Sequence, residues 1–297
     1  MIAALSKFIK INDLNVVSVV KKEDCEIYNL LTIKKKANKI SIVSQQSFET
    51  FDSLIKTADK KLPVLLAVEG KGVLNKEINF ENEADLNWQK NIDFNTIYYT
   101  DLKGSKSNFI SFCRKNIVEE SISQFQKSGF QIIDVYIGSF LGALLNNALN
   151  KDILYSGDLK LEFENDIISG FSKQNEIQNT ANYQIGEQTV SNVFLPLYGS
   201  VIHFFVKPKE VSKTINSSLN NEELIYKKAF HFLGIGMLVT FLVSLLISYL
   251  LIQYYGTKNS ELNLQTVYSN QSYQLILDLE AQKEKNQSFK GIWSFII

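Results

Sequence analysis

Residues Ala229–Tyr255 read AFHFLGIGMLVTFLVSLLISYLLIQYY, and no Lys, Arg, Asp or Glu occurs between Lys228 and Lys258. A helix needs roughly 20 apolar residues to cross a bilayer, and this run supplies them. It is too long for the apolar core of a signal peptide and lies far from the N-terminus, so it reads as a membrane span. Lys207, Lys209, Lys213, Lys227 and Lys228 precede it, whereas only Lys258 follows closely. The positive-inside rule therefore expects the N-terminal part in the cytoplasm and the C-terminal part outside it. Tyr249, Tyr254 and Tyr255 fit an aromatic belt at the far interface, and His231 lies at the near one. The expected divisions are a cytoplasmic domain (1–206), a linker (207–228), the span (229–255) and an external stalk (256–297).

Composition narrows the function of the flanks. The chain has 297 residues, with 31 Lys and Arg balanced by 31 Asp and Glu. It offers no electrostatic footprint for nucleic acid. Arg114 is the only arginine, which removes the usual bidentate phosphate fork. Cys25 and Cys113 stand apart, without a CxxC or clustered His; both are expected in reduced form in the core. No metal or cofactor is implied. The part before the span is large enough to bury a core, whereas the part after it is near the size at which a chain needs outside support.

Alternation and turn signals outline the N-terminal part. Asn15–Val20, Cys25–Ile33 and Asn38–Val43 read as strands, followed by a helix capped by Ser47. Leu62–Val68 reads as a buried strand, and Gly70-Lys71-Gly72 turns it into Val73–Ile78. Ile97–Thr100 and Asn108–Cys113 are strands joined at Lys103-Gly104-Ser105-Lys106. A helix over Asn116–Ser128 ends at Gly129, then come a strand over Phe130–Tyr136 and a helix over Ser139–Leu149. Ile153–Tyr155, Leu159–Phe163 and Ile167–Phe171 read as an antiparallel group. A last helix is expected over Glu187–Phe205, kinked at Pro196. Strands mixed with helices give an α/β domain.

The segment Glu119–Leu149 (EESISQFQKSGFQIIDVYIGSFLGALLNNAL) resembles the PilM and GspL proteins of type IV pilus and type II secretion machines. The matching features are Gly129, the strand Ile132-Ile133-Asp134-Val135, and the small-residue opening Ser139-Phe140-Leu141-Gly142-Ala143-Leu144. The Leu62–Ile78 strand pair and the helix Phe194–Phe205 fall in the same order. The resemblance implies an actin-like (ribonuclease-H-like) cytoplasmic domain followed by one membrane helix and a PilN-like stalk. Active relatives of that fold cradle phosphate on Asp-x-Gly turns. Here the corresponding stretches are Asn12-Asp13-Leu14-Asn15 and Lys151–Asp158, neither with that spacing. Lys103-Gly104-Ser105-Lys106 lacks the frame of a P-loop, and Asp134 has no partner identifiable from sequence. The expectation is a pseudo-ATPase with no catalytic, cofactor or metal residues.

Within the span, Gly236, Thr240, Ser244 and Ser248 recur every four residues, a row that lets two helices pack closely. It would serve a homodimer or ring, or a related single-pass partner with a similar stalk. The stalk has no clean heptad. Its end carries Phe289, Ile292, Trp293 and Phe295, an apolar set that either docks on a partner or opens a further domain; the resembled families have a small ferredoxin-like domain there. The favoured expectation is a scaffold in the bacterial inner membrane that holds a motor ATPase in the cytoplasm. A single-pass signalling or anti-sigma protein and an active, polymerising actin homologue are the alternatives.

Overall fold

The computed structural model describes residues 11–37, 39–174, 181–214 and 221–293, with the side chains of 230, 231 and 233–285 in the last stretch. In chain order the elements begin with three strands, β1 (Asp13–Lys21), β2 (Glu26–Lys36) and β3 (Lys39–Phe48), then α1 (Phe51–Thr57) and β4 (Val64–Gly70). Next come β5 (Leu74–Asn79), α2 (Glu83–Asn91), β6 (Ile97–Lys103), β7 (Ser107–Arg114), α3 (Lys115–Lys127) and β8 (Ile132–Ile137). A 3-10 turn, Phe140–Leu145, leads into the short α4 (Asn146–Leu149). The strands β9 (Ile153–Ser156), β10 (Leu159–Glu164), β11 (Ile167–Lys173), β12 (Asn182–Ile185) and β13 (Gln188–Ser191) follow. Helix α5 (Leu195–Val206), strand β14 (Val211–Lys213) and helix α6 (Asn221–Trp293) complete the described chain.

The organising layer is a five-stranded mixed sheet ordered β3-β2-β1-β4-β8. β2 runs antiparallel to both β1 and β3, whereas β1, β4 and β8 are parallel. Side chains alternate across a strand, and here both faces are covered. Leu14, Val16, Leu31, Ile33, Leu65 and Ala67 meet the 3-10 turn and α5 through Phe140, Leu141, Leu195 and Val201. Val17, Val19, Leu30, Val64, Leu66 and Val68 meet α1 and α3 through Leu54, Val118, Ile122 and Phe125. Burial on both faces is why β4 reads as an unbroken apolar run. A second sheet, β14-β6-β7-β5, a third, β11-β10-β9, and the hairpin β12–β13 are built beside it.

Several local expectations change. β3 continues to Phe48, with the Ser47 hydroxyl donating to Asn29 at 2.7 Å. Thr50, not Ser47, caps α1, accepting from the Ser53 N–H. α2 was not foreseen; Asn82 caps it by accepting from the Ala84 N–H at 2.9 Å. The Ser139–Leu149 helix is mostly a tight 3-10 turn, because α5 crosses it at Gly199. A side chain there would strike the Leu141 carbonyl and come within 3.0 Å of the Gly142 nitrogen. The region read as one long helix from Glu187 begins as a hairpin strand, turned at Gly186 with φ +62°. Pro196 sits in the first turn of α5, where its missing N–H costs no hydrogen bond, so there is no kink to explain. Part of the expected linker, Val211–Lys213, pairs with β6. Cys113 is buried as expected, but Cys25 lies exposed in the β1–β2 turn.

The contacts divide the chain into Met1–Tyr226 and Lys227–Ile297. The described residues of the second unit all belong to α6, a helix of 73 residues that begins at Asn221. Among the described residues it is the one helix long and apolar enough to cross a membrane. Its Leu, Ile, Val and Phe side chains from 233 to 252 are exposed, a surface that water would not tolerate on a soluble rod of this length.

Candidate functional site

Parallel strands leave their carboxyl ends open, and mixed α/β sheets bind ligands there. At that end β4 finishes in Glu69-Gly70 and β8 is followed by Gly138-Ser139. The β9–β10 turn, Gly157-Asp158, closes over them. With Asn75, Phe171 and Lys173 these residues line a cleft of about 240 Å³.

Its chemistry is set by carboxylates. Glu69 is 4% exposed. Its Oε2 accepts a 2.5 Å hydrogen bond from the Ser139 hydroxyl, while its Oε1 is buried with no protein partner. Burial raises the Glu69 carboxyl to about 7, and the charge of Asp158 adds to the rise, against the opposing Ser139 bond. Burial also raises Asp158, partly offset by Lys173. Ser139 is 1% exposed and its proton is committed to Glu69, so it is not presented as a nucleophile. Asn75 is likewise occupied, accepting from the Ser111 hydroxyl at 2.6 Å.

The glycines around the cleft are held in conformations that other residues resist. Gly70, Gly138 and Gly157 have φ of +87°, +72° and +58°. The positions a side chain would take at Gly138 and Gly157 are filled by protein. A Cβ at Gly157 would lie 2.5 Å from the Ser139 Oγ and 2.9 Å from the Glu69 Oε2, and one at Gly138 would strike Ser111. Lys173 is the cleft's one cationic lining residue among those described.

Asp134 belongs to a different cluster. From β8 it forms an ion pair with Lys213 of β14 and accepts from the Tyr136 hydroxyl at 3.0 Å. That hydroxyl also lies 3.1 Å from the Nδ1 of His203 on α5. Burial first, then the Lys213 charge, lowers His203, and Asp134 offsets this in part. The cluster ties β8, α5 and β14 together, away from the cleft. Lys103-Gly104-Ser105-Lys106 is the β6–β7 hairpin turn, closed by the Gly104 N–H donating to the Ser107 carbonyl at 2.8 Å.

On α6, Thr240 donates to the Gly236 and Met237 carbonyls at 3.1 and 2.9 Å, and Ser248 donates to the Ser244 carbonyl at 2.9 Å. Phe289, Ile292 and Trp293 fall in the helix with their side chains outside the described residues, and Phe295 lies outside them altogether. Sequence reasoning missed Glu69. The available signal was a carboxylate closing an otherwise wholly apolar strand immediately before a glycine.

No protein-family model and no curated protein matches this sequence. Among solved structures the chain is similar to the cytoplasmic domain of EpsL, an inner membrane component of the type II secretion system of Vibrio cholerae. Identity there is 10% and the TM-score 0.35, over 54% of this chain and 70% of that one. It is also similar to the PilM–PilN type IV pilus biogenesis complex, at 13% identity and a TM-score of 0.39, over 55% of this chain and 61% of that one. Superpositions this loose decide neither fold nor function, which have to be read from the chain's own residues.

Proposed function

We propose that this chain is a non-enzymatic, single-pass scaffold of the bacterial inner membrane, built on an actin-like (ribonuclease-H-like) domain. It would hold a motor ATPase of a type II secretion or type IV pilus machine in the cytoplasm and join it to envelope components. The observation that carries the reading is topological. A three-stranded antiparallel meander continues into two parallel strands through helical crossovers, in the order β3-β2-β1-β4-β8. That is the strand order of a ribonuclease-H-like half, here in one chain with one long apolar helix among the described residues.

The cleft supports the non-enzymatic part. A nucleotide would bring several negative charges against Glu69 and Asp158 with Lys173 as the facing cation, and like charges at such range are strongly unfavourable. In this reading the N-terminal unit is cytoplasmic and the C-terminal stalk external. Gly236, Thr240, Ser244 and Ser248 face a second copy or a related single-pass partner, and Phe289, Ile292, Trp293 and Phe295 dock on an envelope component.

Purification from mild detergent tests the scaffold directly. Recovery of a hexameric motor ATPase supports it, and recovery of a sigma factor would replace it with a signalling role. Calorimetric titration of ATP and magnesium into the full chain tests the rest: tight binding would overturn the pseudo-ATPase reading.

A further inference from the structure

We propose that the corner where the β2–β3 turn meets the end of α5 is a seat for anionic phospholipid headgroups. The inference rests on the membrane reading above and adds a lipid-binding face to the N-terminal unit. β2 ends in Lys34-Lys35-Lys36, and β3 opens at Lys39. α5 ends at Val206 and is followed by Lys207-Pro208-Lys209. The two segments touch, because the Lys35 ammonium lies 4.2 Å from the centre of the Phe205 ring. Six lysines thus gather at one corner, and five of them, Lys34, Lys36, Lys39, Lys207 and Lys209, are exposed. Carboxylates among the described residues accompany them: Asp13, opposite Lys34 across the β1–β2 pair, Glu187, 3.1 Å from Lys39, and the exposed Glu210.

Lys35, Lys207 and Lys209 flank an apolar spot, while Lys34 and Lys36 alternate to the other face of β2 at the same edge. Val206 is 65% exposed, and Phe204 and Phe205 are half-buried behind it, packed edge to face with centroids 5.2 Å apart. Ammonium groups on flexible stems beside a small aliphatic and aromatic tip, at a sheet edge, suit a bilayer interface. The tip enters the headgroup boundary and the stems snorkel to the phosphates. Lysines act as separate point charges, whereas tight capture of a single phosphate favours the arginine fork, which this corner lacks. Covalent connection argues for the same occupant. Lys209 is two residues before β14, and only residues 214–220 join β14 to α6, a tether of at most about 25 Å when extended. Anionic lipid is therefore the negatively charged surface that the chain's own anchor brings within reach.

Each lysine near an anionic leaflet contributes roughly a fivefold gain in seating. The test uses the full chain in nanodiscs of phosphatidylcholine alone or with a quarter phosphatidylglycerol. An uncharged amine-acetylating reagent reports each lysine's rate by mass spectrometry. Lys22 and Lys71 serve as controls, since the β1–β2 turn and the end of β4 lie at the other end of β2 from Lys34–Lys36. The expected result is slower acetylation of Lys34, Lys36, Lys207 and Lys209 in the anionic discs only, reversed by high salt. K34E/K36E, or K207E/K209E as an independent pair, should weaken seating about 25-fold or more and restore the rates of the remaining lysines. Equal rates in the two discs, or equal slowing at Lys22 and Lys71, would overturn the lipid seat. Protection independent of lipid charge would also overturn it, in favour of an acidic protein surface. Failure of the chain to resist alkaline extraction from membranes would instead sink the membrane reading itself, which keeps the two failures distinct.

Discussion

Replacing Glu69 with Gln should change how stability depends on pH more than it changes stability itself. In the fold the Glu69 carboxyl is raised from 4.5 to about 7, because ionising it strands a charge among buried groups next to Asp158. The folded state therefore binds this proton more tightly than the unfolded chain does. Below the unfolded value both states are protonated and no penalty exists. As pH rises through the folded value, the native state is left holding an unfavourable carboxylate. Each tenfold difference in proton affinity is worth about 1.4 kcal/mol, so the full penalty near pH 8 is on the order of 3 kcal/mol. E69Q keeps an acceptor for the Ser139 hydroxyl but never ionises. Its new amide hydrogens replace the unpartnered Oε1, and leaving them unpaired costs about 1–3 kcal/mol at every pH. That constant offset cancels when the same pair of proteins is compared at two pH values. Pulse proteolysis of the full chain in urea and a non-ionic detergent, at about pH 5 and about pH 8, gives the difference between differences. Relative to the parent, E69Q should gain roughly 2–3 kcal/mol on going from the lower to the higher pH. Parallel curves would show that Glu69 titrates as if in water and would refute the burial on which the cleft is built.

Three further outcomes follow from specific contacts. G199A should be destabilised by roughly 1–3 kcal/mol in the same urea assay. The new methyl meets the Leu141 carbonyl and the Gly142 nitrogen, backbone atoms that cannot swing aside, and this outweighs the helix-propensity gain of about 1 kcal/mol. Cys25 is exposed while burial pushes the Cys113 thiol up to about 12, so a maleimide should label one thiol in the native chain and two after unfolding. D134N removes the carboxylate partner of Lys213 and should loosen β14. Hydrogen exchange at the Thr214 and Lys103 amides, which bond to Tyr99 and Glu210 across the β14 margin, should quicken roughly tenfold, with the amides between β1 and β4 unchanged.

The strands of the central sheet were legible because burial on one or both faces writes a direct pattern. Alternation marks β1 and β2, and the unbroken Val64–Val68 run marks a strand covered on both sides. Gly129, at φ +88° after α3, stood where a helix end requires it. What the sequence concealed depends on contacts between distant residues. The 3-10 winding of Phe140–Leu145 is imposed by α5 crossing at Gly199, about 55 residues further on. Helical spacing of the apolar residues alone gives no sign of that crossing. β13 falls within the stretch read as helix from Glu187 because it is only four residues long, too short for alternation to outweigh a neighbouring helical pattern. Glu69, Ser139 and Asp158 come from three different connections, and only the parallel pairing of β4 with β8 brings the first two together. Asp134 looked like the lone carboxylate of interest, yet it points to Lys213, a partner 79 residues away.

The glycines around the cleft bear on whether this domain ever presents its amides to a phosphate. A phosphate cradle needs positive-φ glycines so that several N–H groups converge on open space, and it needs a cation to share the charge. This cleft has positive-φ glycines at Gly70, Gly138 and Gly157 but not the converging free N–H groups. The Gly157 N–H donates instead to the Asn192 carbonyl at 2.8 Å, and the Gly138 N–H to the Val68 carbonyl at 2.9 Å. Both donors are therefore spent inside the protein, and the volume a phosphate would occupy is bounded by Glu69, Ser139 and Asp158. Here the glycines allow close packing of β4, β8 and the β9–β10 turn. Such a joint holds the central sheet against β9–β11 through short hydrogen bonds, Ser139 to Glu69 at 2.5 Å and Ser156 to the Ser139 carbonyl at 2.6 Å. The contacts that build this joint thus include the ones that spend the N–H groups of Gly138 and Gly157.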